Sequence, residues 1–139
     1  MKQKILSAIV VVILCFTFTI TAFAASSSYD FTMSQRYVSG ADHGIYHNLA
    51  AGAAKISGYQ NVTANTAAPA PIPGIVRYAL YKEQIGIDPE IGIVSGGNST
   101  GDVGGTFSSS VTASSNYYLI VYKADTDGWL VTGYGTIRN

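Results

Sequence analysis

The sequence predicts an all-β protein: a single antiparallel β-sandwich behind an N-terminal export signal, with a jelly-roll strand order among the arrangements open to it. Two observations predict this class. From Ser26 onward no window keeps apolar residues at helical spacing for three turns, while period-2 alternation recurs. Turn residues then cut the chain into seven to nine short runs, the spacing of a sandwich.

The first element is an address. Lys2 and Lys4 precede an apolar run from Ile5 to Phe16, and Ala22 and Ala24 flank Phe23. A positive start, an apolar middle and an Ala-x-Ala site make a secretory signal peptide cleaved after Ala24. The expected organisation is therefore 1–24 as signal and 25–139 as one β domain. Ile5 to Ala25 is also long enough to remain as a membrane anchor, but the small-residue site and the threonines and alanines from Thr17 onward favour removal. Cys15 is preceded by Leu14, whereas lipidation wants a small residue there.

Cleavage changes the arithmetic. The precursor has eight basic and eight acidic residues and one cysteine. Without Lys2, Lys4 and Cys15, the acids outnumber the bases by two and no thiol remains. Stability then rests on a hydrophobic core and hydrogen bonds rather than disulfides, which residues 25–139 are long enough to supply, since staples become necessary only below about 40 residues. In type, the chain resembles many short exported proteins of Gram-positive bacteria, and secretion from such a cell is the expected localisation. Contact with a membrane is expected only through the signal peptide during export.

The strands come in order. Tyr29, Phe31, Met33 and Gln35 fall on one face of an early segment, opposite Asp30, Thr32 and Ser34. Gly40 to Gly44 is a turn cluster, and His43 to Ala54 is a strand or irregular segment because Gly44 and Gly52 oppose a helix. A Pro-rich connection at 67–74 has Pro69, Pro71 and Pro73 in an extended spacer that crosses between sheets. Val76, Tyr78 and Leu80 alternate with Arg77, Ala79 and Tyr81. Gly96 to Gly105 reads as a flexible loop leading into Thr106 to Val111. Asn116 to Lys123 is apolar on both faces, as a central strand would be. Asp125-Thr126-Asp127-Gly128 reads as a hairpin loop with a left-handed glycine, followed by a closing strand, Trp129 to Thr132 and Tyr134 to Ile137, interrupted at Gly133.

Few residues suggest chemistry. Asp42, His43 and His47 form the densest polar cluster: two histidines four apart share a side on a helix or a strand, and Asp42 would complete a metal site or orient an imidazole. The plainer alternative is a polar turn. Gly44 follows His43, so the zinc-protease motif is absent. Asp125 and Asp127 begin like a calcium loop, but Trp129 and Thr136 occupy later ligand positions; Asp88, Glu90 or Asp102 would have to contribute to a structural calcium. No cofactor is therefore expected, with zinc or calcium as the candidates were one present. The paired carboxylates lie beside turns, which argues against an enzyme. The near-neutral charge argues against a nucleic-acid surface.

The aromatics say more. All ten tyrosines and the only tryptophan come after the signal segment. Alternation puts Tyr118 and Tyr122 on one face, opposite Tyr117, and Trp129 comes directly after the turn. An exposed Trp/Tyr platform would stack sugar rings or meet a protein partner, so Trp129, Tyr118 and Tyr122 are the candidate ligand residues; the alternative is that these rings pack the core. The expectation is a secreted, non-enzymatic binder of an extracellular glycan or protein. A charge-poor surface also permits self-association into an envelope or matrix, and a bacteriocin-like antagonist or protease inhibitor presenting the Gly96 to Gly105 segment is a further alternative. Asn61-Val62-Thr63 and Asn98-Ser99-Thr100 match the glycosylation sequon, which matters only in a glycosylating host.

Overall fold

A computed structural model describes residues 25–139; the proposed signal segment, with Lys2, Lys4, Cys15 and the cleavage site, lies outside the described residues. Alternating side chains, one turned inward and the next outward, shape the strands of this region. The described chain forms β1 (Ser26–Met33), β2 (Tyr37–Ser39), a 3-10 turn (Ala41–His43), β3 (His47–Leu49), β4 (Gly52–Ala64), β5 (Val76–Lys82), β6 (Glu90–Gly97), β7 (Gly101–Val111), β8 (Ser114–Tyr122) and β9 (Trp129–Arg138). Tyr29 and Met33 on β1, and Val76, Tyr78 and Leu80 on β5, are buried as their alternation requires. Gln35 lies beyond the end of β1 and is exposed. No helix among the described residues is long and apolar enough to cross a membrane.

Two antiparallel sheets result. One has the order β1-β9-β4-β7 and the other β2-β8-β5-β6, with β3 also paired to β8 beside β2. Pairing is nested along the chain: β1 with β9, β2 and β3 with β8, β4 with β7, and β5 with β6. Inward residues of both sheets share one hydrophobic core, among them Tyr29, Met33, Ile56, Tyr78, Phe107, Tyr117, Val121 and Ile137. The sheets also meet along both sides. Val94 of β6 lies over Gly105 of β7, and Ser27 of β1 hydrogen-bonds His47 of β3 at 2.9 Å.

Several local expectations are corrected. The Asp125–Gly128 segment does not close a hairpin, because β8 and β9 belong to different sheets; Gly128 is nonetheless left-handed, with φ 75°. The Gly96–Gly105 stretch is mostly strand, since β6 runs to Gly97 and β7 starts at Gly101. Gly133 does not interrupt the closing strand. It sits opposite Phe31 in the β1–β9 register, and the Phe31 ring occupies the space a side chain would take, within 2.5 Å of a Cβ built there. The glycine is the floor on which an aromatic ring lies.

Candidate functional site

Parity on β8 builds the site. Tyr117, Leu119 and Val121 enter the core, so Tyr118, Ile120 and Tyr122 turn to the outer face of the second sheet. Cross-strand register then sets neighbours beside them. Tyr37 of β2 and Arg77 of β5 flank Tyr122, and Tyr81 of β5 lies opposite both Tyr118 and Glu90 of β6. Tyr46, from the segment before β3, closes the group.

The rings are ordered by contacts and hydrogen bonds. Tyr81 and Tyr118 stack at 5.7 Å between centroids, 17° apart, and Tyr46 meets Tyr118 edge-on at 6.2 Å. Each hydroxyl donates to its own carboxylate: Tyr46 to Glu83 at 2.8 Å, Tyr81 to Glu90 at 3.0 Å, and Tyr118 to Asp88 at 2.8 Å. Burial, helped by the Asp88 bond, pushes the Tyr118 phenol up to about 12. The Glu83 bond raises that of Tyr46, and burial with the Glu90 bond raises that of Tyr81. All three rings thus keep their protons at neutral pH and offer apolar faces beside carboxylate acceptors. Tyr118 is only 7% exposed and supports the group from below, whereas Tyr37 is 60% exposed. A broad depression of about 940 Å³ adjoins them, lined by Tyr37, Tyr81, Ile120 and Tyr122 together with Asp42 and His43.

Of the residues singled out in the sequence, Tyr118 and Tyr122 share this face, and Trp129 does not. Trp129 begins β9 in the other sheet, and its indole N–H donates to the Ala70 carbonyl at 2.9 Å, docking it against the Pro-rich connection. Sequence reasoning misses Tyr37, Tyr46 and Glu83, and considers Asp88 and Glu90 only as calcium ligands. Tyr37 and Tyr46 lie in pieces too short to display a period, while alternation alone sets Tyr81 opposite Tyr78 and Leu80 without assigning it a role.

The histidine cluster is divided. Asp42 and His43 are exposed in the 3-10 turn, whereas His47 is 1% exposed on β3. Its Nδ1 meets the Ser27 hydroxyl, its Nε2 has no partner, and burial holds its pKa below the usual value. Among the described residues no three His, Cys, Asp or Glu side chains are grouped to hold a metal. The carboxylates considered for calcium have other occupations. Asp127 binds Lys123 and the amides of Gly74 and Trp129, Asp88 accepts from Tyr118, and Glu90 accepts from Tyr81. Asp102 stands on β7 and Asp125 in the loop between the sheets.

No protein-family model matches the chain. No curated protein matches it with significance either.

Proposed function

We propose that the chain is a secreted, non-enzymatic jelly-roll sandwich that binds an extracellular polysaccharide on the outer face of its second sheet. The nested pairing of β1 with β9, β2 and β3 with β8, β4 with β7 and β5 with β6 supports a jelly-roll reading, with β2 and β3 as one broken strand. That architecture hosts lectins among many other activities, so the functional reading rests on the face itself.

The observation that carries it is the fixed aromatic cluster of Tyr46, Tyr81 and Tyr118 beside Tyr37 and Tyr122, rimmed by Glu83, Asp88 and Glu90. Flat apolar rings suit the C–H faces of a sugar, and the adjacent carboxylates accept its hydroxyls. Because the rings are already held, little side-chain freedom is lost on binding. A protein partner fits the same face less well, since the acidic rim offers little to a neutral protein surface. Self-assembly through sheet edges draws less support, because β6 faces β7 and β1 faces β3 and paired flanks leave fewer free edges.

Co-sedimentation with insoluble cell-wall and plant polysaccharides tests the proposal. Retention on at least one glycan should weaken about tenfold in Tyr37→Ala and in Tyr122→Ala, the scale of one lost stacking contact of ~1.4 kcal/mol. Trp129→Phe should leave it unchanged. Absence of retention on every glycan, or retention indifferent to both tyrosines, sinks the reading.

A further inference from the structure

The first sheet turns its outer face away from the tyrosine cluster, and cross-strand register lays that face out in rows. Lys55 of β4 pairs with Arg138 of β9, which makes a basic row. Two residues further along β4, and so on the same side of the pleat, Ser57 pairs with Thr136 and with Gly104. Ser28 extends this middle row onto β1. Its side chains are small, and the Ser57 and Thr136 hydroxyls lie 3.3 Å apart. The third row is acidic and aromatic: Asp30, Tyr134, Tyr59 and Asp102 follow one another across all four strands. Its two rings lie 6.2 Å apart, and Tyr134 is 64% and Tyr59 37% exposed. Lys55, Arg138, Asp30 and Asp102 are all exposed, and none of them forms an ion pair among the described residues.

We propose that a second copy of this chain docks on that face, about a two-fold axis that runs across the strands along the middle row. Such an axis lays the basic row of one copy over the acidic and aromatic row of the other, twice over. Arg138 then faces the partner's Tyr134 and Lys55 the partner's Tyr59, each a cation over a ring. The partner's Asp30 and Asp102 stand on either side of those rings. The small middle row sits at the axis, where two sheets pack about 10 Å apart. An axis along the strands would set acid against acid and base against base, so the charge pattern selects one geometry. A charged polymer of one sign suits the face less well, because the rows of opposite charge are only about 13 Å apart. The face runs about 23 Å from Lys55 to Asn61 and about 19 Å across four strands, a patch of about 440 Å² against roughly 800 Å² per partner in a standard interface. The dimer is therefore a weak one, favoured by high concentration and low salt. It leaves both tyrosine clusters facing outward and does not depend on what they bind.

Sedimentation velocity of the purified protein, from about 10 µM to about 1 mM, tests the pairing. A monomer–dimer equilibrium is expected at about 20 mM salt, weakened at least about tenfold at about 500 mM. Lys55→Glu/Arg138→Glu and Asp30→Lys/Asp102→Lys should each be monomeric, since both charged rows then carry one sign. Mixed in equal amounts they should form a heterodimer, a rescue that a damaged fold does not give. Arg36→Glu/Arg77→Glu matches the first variant in net charge but carries its changes elsewhere. It should bind Asp30→Lys/Asp102→Lys at least about tenfold more weakly than the first variant does. A monomer throughout, a dimer indifferent to salt, self-association retained by either double variant, a mixture that stays monomeric, or equal binding by the control would each overturn the proposal.

Discussion

Lys123 and Asp127 form an ion pair of 2.5 Å in which the two side chains are 1% and 6% exposed. Period 2 along β8 carries Lys123 inward after Tyr117, Leu119 and Val121, so a lysine stands where another apolar residue would be expected. Its ammonium is satisfied by Asp127 and by the Trp129 carbonyl at 2.7 Å. Asp127 in turn accepts from the amides of Gly74 at 2.7 Å and Trp129 at 3.0 Å. The pair therefore fastens the Pro-rich connection to the loop that crosses from β8 to β9.

Removing one partner leaves the other charge buried. Asp127→Ala should cost about 3–5 kcal/mol, whereas Lys123→Met should cost less, because Asp127 keeps its amide donors and loop position. Burial raises the Asp127 pKa, but the bonds from Lys123, Gly74 and Trp129 outweigh it and hold the carboxyl below 3.8. Its contribution is thus complete above that value and disappears as pH falls through the lower folded value. Urea unfolding should show wild type losing more stability on acidification than Asp127→Asn does.

His47 acts at milder pH. Burial lowers its pKa from 6.5, so below that value the unfolded chain takes up a proton that the folded chain resists. Stability should consequently decline as pH falls through 6.5 toward the lower folded value. His47→Gln should flatten that slope. An equal slope in wild type and His47→Gln would rule out His47 as its source.

The fold class and the site were legible to different depths. Alternation is a local property, so the inward set of β1 and β5 and the shared face of Tyr118 and Tyr122 could be read directly. Whether a turn closes a hairpin or carries the chain to another sheet is decided by packing elsewhere. Asp125–Gly128 has the residues of a hairpin and makes a crossing, which is why Trp129, seven residues from Tyr122, lies on the other sheet. Gly133 misled for a related reason: the Phe31 ring that fills its space comes from the far end of the chain.

Two core tyrosines should respond oppositely to loss of a hydroxyl. Tyr29 Oη is buried without a partner, and burial pushes its pKa up to about 12. Tyr29→Phe removes an unmet polar group and should leave stability unchanged or raise it by up to ~1 kcal/mol. Tyr78 Oη donates to Gln60 at 3.0 Å, and Gln60 also donates to the carbonyls of Gly96 and Ser99. Tyr78→Phe strands a buried amide oxygen and should cost about 1–3 kcal/mol. Thermal unfolding of both variants checks the contrast, which fails if the two shift alike.

Glycines should divide in the same way. Gly133 lies under the Phe31 ring, 2.5 Å from the nearest atom to a built Cβ, and 3.2 Å from the Tyr59 carbonyl on the neighbouring strand. An alanine there must displace a ring stacked at 6.5 Å on Tyr29 and packed edge-on to Tyr78 at 5.8 Å, so the strain passes into the shared core. Gly133→Ala should cost about 1–3 kcal/mol, the range for overpacking. Gly104 is an exposed strand position whose built Cβ meets only the Ile56 carbonyl, at 4.0 Å. Gly104→Ala should be neutral or stabilise by up to ~1 kcal/mol, because it restricts the unfolded chain without a clash. Chemical denaturation of the two variants separates packing from chain entropy: a similar penalty at both positions would mean that backbone freedom, rather than the Phe31 ring, requires glycine at 133.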